Sequence, residues 1–203
     1  MKIILKIKIL IKILIIISCS SHPSLAERIS LNKISDYING LTTLQADFEQ
    51  INSDGSIDRG KLYIRRPGRM RLEYTAPNNA LVIAGAGSVA IFDDKSKNGP
   101  TLFPLKKTPL NLLLKKNVDL SKNEMITEHT ANNENTFIVA KDPKRKSQGS
   151  IKMVFSNSPV SLQGWTITNQ SNQKTKIILD KLDKKTKIPL YLFNISAASK
   201  NKN

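Results

Sequence analysis

Cysteine and histidine are almost missing from this chain: one cysteine, Cys19, and two histidines, His22 and His129, stand among 203 residues. Cys19 and His22 fall in a stretch that reads as a removable leader. The remainder then holds no thiol and one imidazole, which excludes a disulfide, a thiolate zinc site and a multi-histidine metal centre. A serine triad would have to use His129, which lies in the polar run Glu128-His129-Thr130. No Gly-x-Ser-x-Gly turn exists to supply its nucleophile, so His129 reads as a solvated surface residue. Asp93 and Asp94 have no base, metal or oxyanion motif beside them, and no enzymatic activity is expected. Gly85-Ala86-Gly87 has neither a third glycine nor a following Gly-Lys-Ser/Thr, and it reads as a hairpin turn rather than a nucleotide loop. Aromatics are 5% of the chain and do not alternate with basic residues, as a platform for single-stranded nucleic acid requires.

Acids are also scarce. Sixteen Asp and Glu oppose 32 Lys and Arg, for a formal charge of +16. Such a balance raises the expectation of a polyanionic partner. The lysines, however, are scattered among asparagines and isoleucines, and the one dense cluster, Lys144-Arg145-Lys146, follows Asp142-Pro143 as a solvated hairpin loop would. Nucleic acid is not an expected partner.

Residues 1–26 combine Lys2, Lys6, Lys8 and Lys12, the short apolar run Ile13–Ile17 and the small-x-small site Ser24-Leu25-Ala26. This order describes a secretory signal cleaved after Ala26, with an apolar run too short to span a membrane. Ile16-Ile17-Ser18-Cys19 loosely resembles a bacterial lipoprotein signal, but Ser24-Leu25-Ala26 offers a competing cleavage point. Removal of the leader leaves 177 of the 203 residues, enough for one domain with a full core, and leaves a formal charge of +12.

The remaining chain is dominated by period-two alternation. After a helical stripe over 28–40 (Ile29, Leu31, Ile34, Tyr37, Ile38, with Gly40 as a stop), Leu44, Ala46 and Phe48 alternate with Gln45, Asp47 and Glu49. Asp54-Gly55 marks a hairpin, and Leu62 and Ile64 lie on the return strand. Pro67-Gly68 turns the chain again into Met70, Leu72 and Tyr74 on one face and Arg69, Arg71 and Glu73 on the other. Leu81–Ala84 and Val89–Phe92 are continuous apolar strands. Thr108 as N-cap, Pro109 at the first position and Leu110, Leu113 and Leu114 predict a short mid-chain helix with Lys115-Lys116 at its end. Strand patterns resume near residue 125 and continue to a last strand holding Leu190 and Leu192, before a polar, frayed tail from Ala197. The total is about ten or eleven short strands with hairpin connections, one domain, and few helices.

Several of these segments, in this order, resemble the LolA family of bacterial outer-membrane lipoprotein carriers. They are Phe48-Glu49-Gln50, Lys61-Leu62-Tyr63-Ile64, Arg66-Pro67-Gly68-Arg69-Met70-Arg71-Leu72-Glu73-Tyr74, the Pro77 turn, and Thr108-Pro109-Leu110-Asn111-Leu112-Leu113-Leu114. The resemblance implies an incomplete, strongly curved antiparallel β-barrel (a half-barrel) over residues 27–196, with helices covering its concave apolar face and a polar tail at 197–203. It implies a monomeric periplasmic chaperone without cofactor. Such a chaperone takes acylated lipoproteins from an inner-membrane exporter, shields their acyl chains and passes them to an outer-membrane acceptor. A related half-barrel that carries or senses another lipid or glycolipid is the alternative. On this resemblance Arg66 latches the helical lid, and Leu44, Phe48, Leu62, Ile64, Met70, Leu72, Tyr74, Leu110, Leu113 and Leu114 face the acyl-chain cavity. Arg69 and Arg71 point outward as candidate docking charges. Two departures are visible: Gly85-Ala86-Gly87 stands where the family usually has Asp-Gly, and the long C-terminal extension of some members is missing.

Overall fold

The computed structural model describes residues 28–93, 99–122, 124–142 and 149–202. The expected leader (1–26, with Cys19 and the Ala26 cleavage point), Asp94 and the Lys144-Arg145-Lys146 cluster lie outside them.

Helix α1 (Leu31–Gly40) begins where Ser30 accepts a hydrogen bond from the Lys33 amide, a side-chain cap that places its start slightly later than the periodicity suggests. Its apolar stripe buries Ile34 and Ile38. Eleven strands follow: β1 (Thr43–Ile51), β2 (Ile57–Arg65), β3 (Arg69–Tyr74), β4 (Leu81–Gly85), β5 (Ser88–Phe92), β6 (Thr101–Pro104), β7 (Ile126–Ala131), β8 (Asn135–Lys141), β9 (Ser150–Asn157), β10 (Val160–Thr168) and β11 (Lys174–Asp183). All pairings are antiparallel, in the spatial order β6-β5-β4-β3-β2-β1-β11-β10-β9-β8-β7. Each neighbour is thus the next strand in the chain, except where β1 meets β11. The two ends, β6 and β7, are not paired with each other, so the sheet curls without closing.

The chain between those two edges holds the 3-10 turn Leu105–Lys107 and helix α2 (Asn111–Leu114). Leu105, Leu110, Leu112, Leu113, Leu114, Val118 and Leu120 from this crossing segment are buried in one cluster with Ile34, Ile38 and the inner-face residues of the strands. The helix is a single turn, shorter than its leucine spacing suggests. Thr108 does not cap it by its side chain: Thr108 Oγ1 donates instead to the Leu105 carbonyl, and Lys115 returns to extended backbone.

Glycine permits a close approach of β2 and β3. Gly60 pairs with Phe48 on one side and Tyr74 on the other, and a Cβ there would overlap the Glu73 carbonyl. The two rings close over the gap edge to face, with centroids 5.1 Å apart. The β4–β5 hairpin turns through Ala86 and Gly87 with φ of 48° and 81°, the pair of positive values that a two-residue type I′ turn requires.

A second, smaller core lies on the outer face. Leu81, Ile83, Ala90 and Phe92 pack there against Ile188 and Phe193. This explains why β4 and β5 read as continuous apolar runs: one face packs in the outer core, and the other, with Val82, Val89 and Ile91, lines an apolar interior space. The residues that cover the outer face correct the sequence reading of the C-terminus. Leu190 and Leu192 belong to a 3-10 turn (Leu190–Phe193), not a strand, and helix α3 (Ile195–Lys202) replaces the expected frayed tail.

Candidate functional site

The Arg66-Pro67-Gly68 turn joins β2 to β3 beside the ends of both helices. Arg66 Nη1 donates to the Ile38 carbonyl and, at 3.5 Å, to Leu41; Nη2 donates to the Lys115 carbonyl at 2.6 Å and to Lys116 at 3.4 Å. One guanidinium thereby ties the C-terminal end of α1 to the C-terminal end of α2. These carbonyls lie at or just past the helix ends, and the planar fork of arginine brings donors and a positive charge to the negative ends of the helices. The main chain of the turn joins in: the Gly68 amide donates to the Leu114 carbonyl at 2.8 Å. Burial pushes the Arg66 pKa down from its ordinary value, although a guanidinium stays cationic in water's pH range. Arg66 Nε is buried with no hydrogen-bond partner, so part of what the other bonds contribute is offset locally.

Two side chains that sequence reasoning missed fasten the crossing segment further. Asn39 donates from Nδ2 to the Val118 carbonyl at 2.8 Å and accepts from the Val118 amide at 2.9 Å. Ser35 Oγ accepts from the Leu120 amide at 2.9 Å while donating to Leu31. Ser35 and Asn39 are four residues apart, hence on one helical face, beside the Ile34/Ile38 stripe. A polar pair at that spacing next to an apolar stripe was the available signal.

Beside these hydrogen bonds lies an open cavity of about 630 Å³, within the range of small-molecule sites. Its walls include Met70, Leu72, Val82, Val89, Ile91, Phe103, Leu110, Trp165, Ile167 and Ile177; Gln50, Lys107, Thr108, Asn169, Gln170, Ser171 and Thr175 bring polar groups to it. Among the described residues no carboxylate lines it. A much smaller recess of about 40 Å³, lined by Leu112, Met125, Ala140 and Ile151 among others, shares Lys107, Thr108 and Pro109 with it. The crossing segment therefore separates the two.

Of the ten positions expected on a cavity face, Met70, Leu72 and Leu110 line this space. Leu44, Leu62, Ile64, Leu113 and Leu114 are fully buried in the packed cluster. They lie in the filled part of the core, with α1 and α2. Phe48 is buried against Tyr74, whose hydroxyl donates to Gln50 Oε1 at 2.6 Å. Burial, with Asp58 nearby, pushes the Tyr74 phenol up to about 12. Val82, Val89, Ile91, Phe103 and Trp165 come from strands that give no more sign in the sequence than generic core does.

Arg69 and Arg71 alternate with buried Met70 and Leu72, as the sequence suggests, but both side chains are engaged on that face. Arg69 donates to the Pro67 carbonyl at 3.2 Å. Arg71 is pinned: it pairs with Glu73 at 2.5 Å and donates to the Leu192 carbonyl at 2.9 Å, with its side chain 16% exposed. The C-terminal 3-10 turn covers it, which the sequence reading had placed in a strand.

His129 also departs from a freely solvated residue. It is half-buried, with Nε2 2.8 Å from the Ile29 carbonyl, so this nitrogen carries the proton, and Arg28 donates to the His129 carbonyl. Burial lowers its pKa; the bond to Ile29 opposes that shift and the Arg28 charge adds to it. Among the described residues no group of three His, Cys, Asp or Glu is placed to hold a metal ion, and no helix is long and apolar enough to cross a membrane.

Residues 39–196 match the family model described as "Outer membrane lipoprotein carrier protein LolA". An uncharacterized protein of Rickettsia prowazekii is 28% identical over 187 residues, 92% of this chain and 86% of that one. An outer-membrane lipoprotein carrier protein of Coxiella burnetii is 28% identical over 181 residues, covering 83% of this chain and 84% of its own. Among solved structures, a LolA superfamily protein of Nitrosomonas europaea aligns over 83% of this chain and 99% of its own, with a TM-score of 0.45 at 8% identity.

Proposed function

The chain belongs to the LolA family of outer membrane lipoprotein carrier proteins, and from that premise we propose that it shields the acyl chains of lipoproteins in the cavity beside α2. In this reading it is a periplasmic carrier and not an enzyme, loading at an inner-membrane exporter and unloading at an outer-membrane acceptor. The observation that carries it is the pairing of an open apolar cavity with a single guanidinium clamp on the segment at its edge.

The energetics of a carrier set opposite demands. Each methylene moved from water into the cavity contributes about 0.8 kcal/mol, so even one acyl chain is held strongly unless something opposes it. Opening the Arg66 clamp supplies that opposition: each charged hydrogen bond contributes about 1.5–3 kcal/mol. Cargo therefore binds with a smaller net gain than burial alone would give, which leaves room for release. Leu110 at the wall, with Leu113 and Leu114 of α2 itself, would move relative to Met70 and Leu72 of β3 as α2 shifts. Arg66→Leu should fold and should accept cargo but release it abnormally. Normal transfer to an acceptor by that variant overturns the clamp mechanism. The carrier reading itself is tested by mass spectrometry of what copurifies: acylated lipoprotein supports it, and a free glycolipid in its place points to a related lipid carrier.

A further inference from the structure

The outer face carries a feature that the cavity does not need. The C-terminal segment is clamped by its main chain: Arg65 donates to the Ile188 carbonyl at 2.6 Å and Arg71 to the Leu192 carbonyl at 2.9 Å. Ile188 and Phe193 are buried in the outer core, and a side chain on Gly85 would collide with the Phe193 carbonyl. Between those two anchors the chain turns outward. Leu190 is 53% exposed and Tyr191 72% exposed, side by side on the 3-10 turn. A fixed backbone that displays an aliphatic and an aromatic side chain has the amphipathic character of an interfacial anchor.

The segment itself carries one sign of charge. From residue 184 to residue 203 there are five lysines and no acid. Lys184, Lys185, Lys187 and Lys200 are exposed; Lys184 Nζ lies 4.6 Å over the Tyr37 ring, which leaves the other three unengaged by that contact. The nearest acid in sequence, Asp183, is consumed by the turn, accepting from the Lys185 and Thr186 amides and from the Thr186 hydroxyl. Glu73 on the adjoining strand is paired with Arg71.

We propose that the Leu190–Tyr191 turn, with Lys185, Lys187 and Lys200, is a docking surface for an anionic lipid bilayer. Lysines near an anionic surface act as point charges that concentrate the protein there, and an exposed Leu-Tyr pair gains by entering the headgroup layer. Nucleic acid fits less well, since arginine forks and stacked aromatics are missing from the patch. The surface lies on the face opposite the cavity, so the chain would rest on a membrane with its cavity mouth free. This inference does not depend on what the cavity carries.

The test is cosedimentation of the secreted form of the chain with vesicles of phosphatidylethanolamine and phosphatidylglycerol, and with vesicles of phosphatidylcholine alone. Binding to the anionic vesicles that weakens with added salt is expected. Lys185→Gln and Lys187→Gln should each weaken it roughly fivefold, and the double variant Leu190→Ser, Tyr191→Ser about tenfold, with circular dichroism unchanged. Equal binding to both vesicle types overturns the proposal, as does equal binding by wild type and variants. Binding only to membranes that retain their proteins also overturns it and points to a protein partner.

Discussion

Replacing Arg66 by leucine removes a side chain that bonds to the ends of both α1 and α2. Its two shorter bonds, to Ile38 and Lys115, each contribute about 1.5–3 kcal/mol as charged hydrogen bonds. The two longer ones, to Leu41 and Lys116, add little. Two effects reduce the sum: the site is partly open to water, which resolvates the freed carbonyls, and the partnerless Nε is no longer buried. A loss of about 2–4 kcal/mol remains, and it should fall on the local opening of the crossing segment rather than on global unfolding. The main-chain bond from Gly68 to Leu114 and the sheet itself are untouched. Amide hydrogen exchange reads this directly. The Val118 and Leu120 amides, held by Asn39 and Ser35, should exchange about 30- to 900-fold faster in the variant, while the Leu62 amide at the sheet centre keeps its protection. Unchanged rates at 118 and 120, or an equal acceleration everywhere, would refute the idea that Arg66 governs a separable opening.

Other expectations follow from the same geometry. Asn39→Ala removes both bonds to Val118 and should cost about 1–3 kcal/mol in urea unfolding; no change would show that the main chain of the crossing segment holds itself. Gly60→Ala drives a Cβ into the Glu73 carbonyl and should destabilise by about 1–3 kcal/mol, so a variant as stable as wild type contradicts the β2–β3 register. His129 has a folded pKa below its unfolded value, so the unfolded chain binds the extra proton. Its contribution is complete above about pH 6.5 and fades as pH falls through the folded value. Wild type should therefore lose stability relative to His129→Gln on going from neutral to mildly acidic pH, and parallel profiles would exclude burial of the imidazole as a source of pH dependence.

Much of the fold could be read from the chain because a half-buried strand states its face in every second residue. The hairpins at Asp54-Gly55, Pro67-Gly68 and Gly85–Gly87 appear where turn chemistry demands them. The C-terminus was illegible for a physical reason. Leu190 and Leu192 have strand spacing, but Ile188 and Phe193 are the buried pair, and what they cover is the second face of β4 and β5. The continuous apolar runs at 81–84 and 89–92 hinted at a second covered face without showing what covers it. The Arg-Pro-Gly turn singled out Arg66 through its resemblance to a family motif; the carbonyls it bonds to could not be read, since main-chain acceptors carry no residue identity. Alternation likewise told which side chains face inward, but not where the inward face is filled and where it is open. Leu62 and Leu72 are neighbours across one ladder, yet one lies in packed core and the other at the cavity wall.

Uptake of acyl chains by the cavity is read out by adding the purified protein to spheroplasts that display one lipoprotein in acylated and unacylated forms. The expected result is release of the acylated form as a soluble complex with this chain, with no complex formed by a cysteine-substituted lipoprotein. Recovery of both forms alike, or of neither, would contradict it.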